Sequence, residues 1–401
     1  MAPANEKPAA KTMARKLAYR NLIHDRVSLF VTLVGIMFSV VLIAVMCSIY
    51  LGMGACIVAV MDHIDADLWV VPEGTKSFDL SLGLLKGREK HAALSTPGVH
   101  SANYIFISLI DWRRLSKRGI GSGCATETGR CGSVSALLVG TDTAVNKSLP
   151  WDIVDGTVAD LSTPNAVVVD KIYFPELGVE HTGDQAEING SQVTVKAVTQ
   201  GIRSFTTLPY IFAGIDVART LVGAEAEQAS YTLVRVAPGS DVEAVRKSLQ
   251  ARLPDDEVVT HQDLRQRSHD YWLFNTGAGA GLIAGMVLSV VVGIVVVAQT
   301  LYASTKEHLN EFATLRALGA SSGFVCKVIL WQAVLSAIIG FALGMVVSQI
   351  VIYLLSSVLP ILMTFNLAWG LLALTIIMCI IAAVSAIFKV IRIDPAVVFS
   401  R

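Results

Sequence analysis

Residues 328–388 read VILWQAVLSAIIGFALGMVVSQIVIYLLSSVLPILMTFNLAWGLLALTIIMCIIAAVSAIF, 61 positions without one Asp, Glu, Lys or Arg. A membrane helix needs about 20 apolar residues to cross a hydrocarbon core of roughly 30 Å. The run therefore holds two helices, 328–357 and 367–388, joined by a short external loop, 358–366. Pro360 and Asn366 suit that turn and would serve a helix interior poorly. Three helices would leave almost nothing for turns. Two more charge-free runs, Val27–Met61 and Tyr271–Thr305, hold 35 residues each and suit one helix apiece. The first is too long for a signal peptide, follows a polar stretch and ends without a convincing small-residue cleavage site.

The fold class follows from these runs: an α-helical membrane protein with four transmembrane helices, and a large extracytoplasmic α+β domain inserted between helices 1 and 2. The expected organisation is a tail with an amphipathic helix (1–26), the first span (27–61), the inserted domain (62–270) and the second span (271–303). A cytoplasmic loop (304–327), spans three and four and a C-terminal tail (389–401) follow. In the tail, Met13, Leu17, Leu22 and Ile23 alternate with basic residues, which suits a helix lying on the membrane surface as well as a plain basic anchor.

Of the 401 residues, 53% are hydrophobic and 16% are charged, with 32 Lys+Arg balancing 32 Asp+Glu. That balance excludes a basic nucleic-acid-binding body, and the hydrophobicity excludes a disordered chain. The neutrality hides two opposite asymmetries. Both tails and the 304–327 loop together hold 12 basic and 5 acidic residues, whereas 62–270 holds 20 basic and 27 acidic ones. Short loops rich in Lys and Arg stay in the cytoplasm, so both termini should be cytoplasmic and 62–270 outside. Cys124 and Cys131 are the only cysteines of that external segment and sit in a Gly-rich turn. In an oxidising compartment they read as a disulfide closing a small loop; without nearby His or further Cys they do not complete a metal site.

Within the inserted domain, 67–71, 103–112, 134–139, 193–198, 210–212, 231–236 and 257–260 read as strands. Residues 84–94 and 241–253 read as helices, the second capped by Ser240 or Asp241 and stopped by Pro254. A strand–helix–strand unit at each end of the segment suggests two lobes. With no long linker at either junction, motion can pass between this domain and the membrane.

Chemistry is sparse. There is no phosphate-binding loop: Gly74-Thr-Lys-Ser77 has the wrong order. Gly279, Gly281 and Gly285 lack the preceding strand and following acidic residue of a dinucleotide site. Small residues four apart instead favour close helix packing in lipid, assigned to Gly277, Gly281 and Gly285 in the second span and Gly340 and Gly344 in the third. Asp62-His63-Ile-Asp65-Ala-Asp67 can be read as a cation site or as a solvated helix end. Trp69, Tyr271, Trp272 and Phe365 can be read as cargo contacts or as an interfacial aromatic belt. No catalytic or metal-ligating set emerges, and the spans contain none of the ionisable residues that mark ion-coupled carriers.

The 304–327 loop is the most informative segment. Leu309, Phe312, Leu315 and Leu318 recur at helical spacing, while Lys306, Glu307, Asn310, Glu311 and Thr314 line another face. Ser304 or Thr305 can cap the start and Gly319 the end. A short helix held between two spans offers a docking knob to a soluble partner; a connector with no partner is the plainer reading.

This segment resembles the coupling helix of ABC-transporter permeases of the MacB/FtsX superfamily, through Glu311-Phe-Ala-Thr-Leu-Arg-Ala-Leu-Gly-Ala320. Arg392-Ile-Asp-Pro-Ala-Val-Val-Phe399 is similar to that superfamily's terminal element. DevC-type permeases are closer still, through His24-Asp-Arg26, Asp65-Ala-Asp-Leu68, Tyr271-Trp272, Tyr302 with His308–Leu315, and Ile377-Met-Cys379. The resemblance spans 17–399 and is weakest over 113–205.

It implies a homodimer in the bacterial cytoplasmic (inner) membrane that works with a separate ABC ATPase. That partner binds ATP and Mg; this chain binds no cofactor. It implies that Lys306, Glu307, Asn310, Glu311, Phe312, Thr314, Leu315, Arg316 and Gly319 couple to the ATPase. The external domain would then expel a lipid-like or other amphiphilic cargo from the membrane lipid, with a membrane-fusion adaptor and an outer-membrane duct. Control of an external cell-wall enzyme and lipoprotein release are the alternatives within the superfamily; an enzyme in its own right is the reading outside it.

Overall fold

The computed structural model describes residues 26–81, 83–115, 132–142, 148–206, 208–307, 314, 321–356 and 359–391. The N-terminal tail with its expected amphipathic helix, the Cys124–Cys131 loop and the terminal element 392–399 lie outside the described residues. The chain divides into two compact units. One holds the chain up to Gly52 and from Ala280 on; the other holds Met53–Gly279.

Among the described residues, four helices are long and apolar enough to cross a membrane: α1 (Arg26–Asp62), α7 (Gly277–Glu307), α8 (Ser322–Leu355) and α9 (Phe365–Ile391). In the helical unit they share one apolar core. Ile36, Val40 and Ile43 of α1 meet Val297 and Leu301 of α7, Val328 and Ala333 of α8, and Met378 and Ala382 of α9. Large apolar side chains such as Phe38, Val291, Val346 and Ile381 stay exposed, as expected of faces solvated by acyl chains. Several polar groups inside are satisfied locally. The Ser39 hydroxyl lies 2.9 Å from the Gly35 carbonyl and 3.3 Å from that of Gly293. Ser348 and Thr375 donate to the carbonyls of Gly344 and Leu371. The turn before α9 is held to α1: the Leu362 amide donates to the Ser48 carbonyl at 3.0 Å. Thr364 then caps α9 by accepting from the Leu367 amide.

The inserted domain is built on one ten-stranded sheet. Its strands are β1 (Leu68–Pro72), β2 (Val99–Arg114), β3 (Ser133–Thr141), β4 (Ile153–Asp155), β5 (Ala166–Asp170), β6 (Gln185–Ile188), β7 (Ser191–Thr199), β8 (Tyr210–Gly214), β9 (Tyr231–Val236) and β10 (Asp256–Thr260). Its helices are α2 (Arg88–Leu94), α3 (Phe174–Leu177), α4 (Ile215–Val222), α5 (Val242–Arg252) and α6 (His261–Phe274). The order is β10-β1-β9-β2-β3-β8-β5-β7-β4, with β6 pairing β2 and β7.

The expectation of one strand–helix–strand unit per lobe is corrected here. The unit that opens the domain (β1–α2–β2) and the one that closes it (β9–α5–β10) interleave in the same half of the sheet. The other half comes from the middle of the segment. The two halves are one sheet because β2 is long: Val99–Ile105 pairs β9, and Ile105–Arg113 pairs β3.

Period-2 alternation divides each strand between two cores. Leu68 and Val70 join α2 and α5 in one cluster. Trp69 and Val71 point the other way, into a cluster with Ile105, Ile107, Val139 and Tyr231, which Met61 of α1 and Leu264 of α6 cover. A third cluster seats α4 against β3, β5, β7 and β8. There Gly140 passes close to α4: a Cβ on it would lie 2.5 Å from Ala218 Cβ. Asp241, not Ser240, supplies the side-chain cap of α5, accepting from the Glu243 amide at 3.1 Å.

The second span begins at Gly277 rather than Tyr271. Residues 261–274 form α6, a helix of the domain, and Asn275-Thr276 break the chain before α7. The Thr276 hydroxyl donates to the Trp272 carbonyl at 2.6 Å and accepts from the Gly279 amide at 3.2 Å. Gly279 packs so tightly on the Trp272 and Leu273 carbonyls that a side chain has no space there.

Candidate functional site

The cytoplasmic docking segment is described in part. Lys306 and Glu307 close α7, and Thr314 is helical. Asn310, Glu311, Phe312, Leu315, Arg316 and Gly319 lie outside the described residues. One expectation is corrected: Ser304 and Thr305 do not cap a new helix. α7 runs through both to Glu307, and the buried Thr305 hydroxyl donates back to the Leu301 carbonyl at 2.8 Å. Nearby, Thr32, Ser304, Gln332 and Ser336 line a small polar recess among the spans. Thr32 Oγ1 is buried there without a partner among the described residues. Hydroxyl and amide groups thus replace ionisable ones in the interior of the bundle.

The packing glycines separate into two groups. Gly340 and Gly344 of α8 face α1: a Cβ on Gly340 would stand 2.7 Å from Ile36 Cγ2, and one on Gly344 2.8 Å from Val40 Cβ. Gly285 makes an ordinary contact with Met46. Among the described residues nothing lies within 4 Å of where a Cβ on Gly277 or Gly281 would stand. Two glycines that the spacing argument missed do the same work as Gly340. Gly35 packs on Thr300 of α7, and Gly293 packs on Ile43 and Met378. Both sit on a four-residue spacing of small residues, Gly35 with Ser39 and Gly293 with Ser289 and Gly285, a signal that counting glycines alone passed over.

In the domain unit, α6 is bound on several sides. Arg265 donates to both oxygens of Asp62 at 2.7 and 3.2 Å. Arg267 grips Glu257 through bonds of 2.7 and 2.6 Å, and its guanidinium holds the Glu257 carboxyl below the usual range. The Ser268 hydroxyl accepts from the Phe78 amide, and the Trp272 indole donates to Ser77. At the start of α6 the Trp69 indole donates to Nδ1 of His261 at 3.2 Å. Burial lowers the pKa of His261, which fits a neutral ring carrying its proton on Nε2.

The Asp62–Asp67 stretch is resolved in favour of structural pairing. Asp62 is taken by Arg265, and Asp65 lies 2.6 Å from Arg235. Asp67 accepts from the Val236 amide. Among the described residues no group of three or more His, Cys, Asp or Glu could hold a metal ion. Trp69 is fully buried in the core and is not a membrane-exit contact. Tyr271 and Trp272 sit edge to face at the end of α6. Phe365 is 77% exposed at the start of α9, beside Trp369.

A buried polar cluster lies beside α6 that sequence reasoning missed entirely. The Tyr210 hydroxyl donates to Asp79 Oδ1 at 2.8 Å, and the Tyr231 hydroxyl donates to the Phe78 carbonyl at 2.9 Å. Burial raises the Asp79 carboxyl to about 6, partly offset by the Tyr210 bond. Its second oxygen, Oδ2, is buried without a partner among the described residues.

Comparison with known proteins finds a family model over each of two parts of the chain. The MacB-like periplasmic core domain matches residues 29–252, and the FtsX-like permease C-terminal domain matches residues 283–395. No curated protein matches the chain. Among solved structures, it is similar to the periplasmic region of MacB from Actinobacillus actinomycetemcomitans. The identity is 14%, the cover 51% of this chain and 94% of that one, and the TM-score 0.37. It is also similar to the extracellular domain of the noncanonic ABC-type transporter YknZ from Gram-positive bacteria. There the identity is 14%, the cover 48% and 98%, and the TM-score 0.34. A helical membrane protein with a large domain between its first two spans is the class that the fold defines. The chain belongs to the MacB/FtsX superfamily of ABC-transporter permeases.

Proposed function

We propose that this chain is the permease subunit of an ABC export complex, driven by a separate ATPase and acting through its inserted domain on an amphiphilic cargo. The observation that carries the reading is the pairing of the two family matches on one chain, the periplasmic core domain over 29–252 and the permease domain over 283–395. Family permeases of this kind work with ABC ATPase partners, and the sequence offers no phosphate-binding loop of its own.

The connections in the chain suit a lever. α1 continues from the helical unit into the domain unit without interruption, and only Asn275-Thr276 separate α6 from α7. α6 is bonded to β1, β10 and the 75–78 segment, so a displacement of its end moves a packed body. In this reading both termini and the 304–327 loop are cytoplasmic, and two copies of the chain each receive one ATPase on the segment around 305–318. The DevC-like features favour a membrane-fusion adaptor and an outer-membrane duct.

Gentle crosslinking of native membranes, affinity capture of the tagged chain and mass spectrometry of its companions test this reading. A soluble ATPase together with a fusion-type adaptor is the expected result. An ATPase with a cell-wall hydrolase would make the chain a mechanotransmission subunit, and one with a lipoprotein carrier would make it a lipoprotein-release permease.

A further inference from the structure

Trp69 of β1 meets the first turn of α6 through a single polar contact. Its indole Nε1 lies 3.2 Å from Nδ1 of His261, and the two rings are 6.0 Å apart between centroids. An indole N–H only donates, so Nδ1 must present a lone pair. Among the described residues His261 Nδ1 is the one acceptor that this indole has. Trp69 is fully buried in the cluster with Phe78 and Tyr231. Without His261 its N–H would be a buried donor lacking a partner, which is costly.

A proton on Nδ1 removes this bond, because an imidazolium has two donors and no acceptor. The closed contact opposes that proton. His261 is the first residue of α6, where the helix dipole disfavours a cation. Arg265 follows one turn along the same helix. Asp62 at the end of α1 and Asp67 before β1 attract the proton, yet both carboxylates are engaged. Asp62 accepts from Arg265, and Asp67 Oδ2 accepts from the Val236 amide. Burial is the largest influence, and with Arg265 it holds the His261 pKa down against the two carboxylates.

We propose that Trp69 and His261 form a proton-operated latch on α6. While His261 is neutral, the latch is closed and the start of α6 is fixed to β1. When His261 is protonated, the indole is released and the start of α6 loosens. The open state binds the proton more tightly. Closure is therefore complete above the ordinary imidazole value of about 6.5 and is lost as pH falls below it. α6 runs to Phe274, and only Asn275-Thr276 separate it from α7, so the latch acts on the helix that leads into the second span. The inference goes beyond the export reading and rests on it only for the side of the membrane from which the proton arrives.

Hydrogen–deuterium exchange of the full chain in lipid nanodiscs tests the latch. It is read at about pH 7.5 and about pH 5, with rates corrected for the intrinsic pH dependence of exchange. At the lower pH the amides of residues 265–268 should lose about tenfold in protection, while those of β5 and β8 keep theirs. His261→Gln keeps an acceptor that does not titrate, so its protection at 265–268 should be the same at both pH values. His261→Phe offers no acceptor and should be as weakly protected at about pH 7.5 as the parent is at about pH 5. Equal protection of 265–268 at both pH values in the unaltered chain would overturn the proposal. So would a loss spread evenly over the domain, or one that persists in His261→Gln. The first two outcomes are read on the unaltered chain and decide even where a variant fails to fold. Exchange is measured without the ATPase, so failure of the latch is distinct from failure of the export reading.

Discussion

Gly340 of α8 lies against Ile36 of α1 so closely that a Cβ on the glycine would stand 2.7 Å from Cγ2 and 2.8 Å from Cβ of the isoleucine. In lipid, helices gain little from hiding apolar surface, and contact depends on how near the backbones can come. A β-branched isoleucine has little rotamer freedom with which to withdraw. Gly340→Ala should therefore lower the thermal midpoint in detergent, by about 1–3 kcal/mol of overpacking, despite alanine's better helix propensity. In an Ile36→Ala background the same change should cost less than half as much, since the clashing atoms are gone. Equal losses in both backgrounds would show that the two residues do not meet.

Asp79 makes stability depend on pH. Burial raises its carboxyl to about 6, against about 3.9 in an unfolded chain. The folded state thus holds the proton more tightly. This contribution is complete below about pH 4, falls as pH rises through about 6, and stays lost above that. A shift of roughly two units corresponds to about 3 kcal/mol. Thermal midpoints of the parent and Asp79→Asn, compared from about pH 4.5 to about 7.5, should diverge as pH rises, with the parent losing ground. A constant gap would show that Asp79 titrates normally.

The Asp62–Arg265 pair joins the end of α1 to α6, with both side chains about 40% exposed. Pairs exposed to this degree contribute at most about 1 kcal/mol. Arg265→Ala should therefore cost little. Asp62→Arg should cost more by setting two cations together, and adding Arg265→Asp to it should restore most of the midpoint. Failure of the double exchange would show that the pair does not form in solution.

Cys47, Cys56, Cys326 and Cys379 are free thiols, while Cys124 and Cys131 read as bridged across their Gly-rich loop. Denatured, unreduced chain should take up four alkyl groups and reduced chain six, as intact masses. Six in both states would remove the disulfide.

The helical unit was legible because its signal is one-dimensional: a span announces itself as a long run without charge. The run from Tyr271 misled at its start, since Tyr271-Trp-Leu-Phe274 is uncharged for a different reason. These residues finish α6, and Trp272 there donates to Ser77. β5 was overlooked because Ala166–Val169 is buried on both faces and shows no alternation. The long β2 was found, yet its role in joining both halves of the sheet depends on pairings more than 100 residues apart in sequence, which no local pattern encodes. Asp79 looked like an ordinary polar residue between Phe78 and Leu80. Only the fold brings Tyr210 to one of its oxygens and leaves the other bare.

The account stands on the segment that links α7 to α8 as the place where an ATPase drives this permease. Glu311→Lys and Phe312→Asp, each introduced into the tagged chain, test it most directly when the captured complex is assayed for the ATPase chain. The predicted result is normal membrane insertion with the ATPase lost from the captured complex, because a reversed charge or a buried carboxylate at a docking helix is costly to accommodate. Unchanged recovery of the ATPase with both variants would contradict the account.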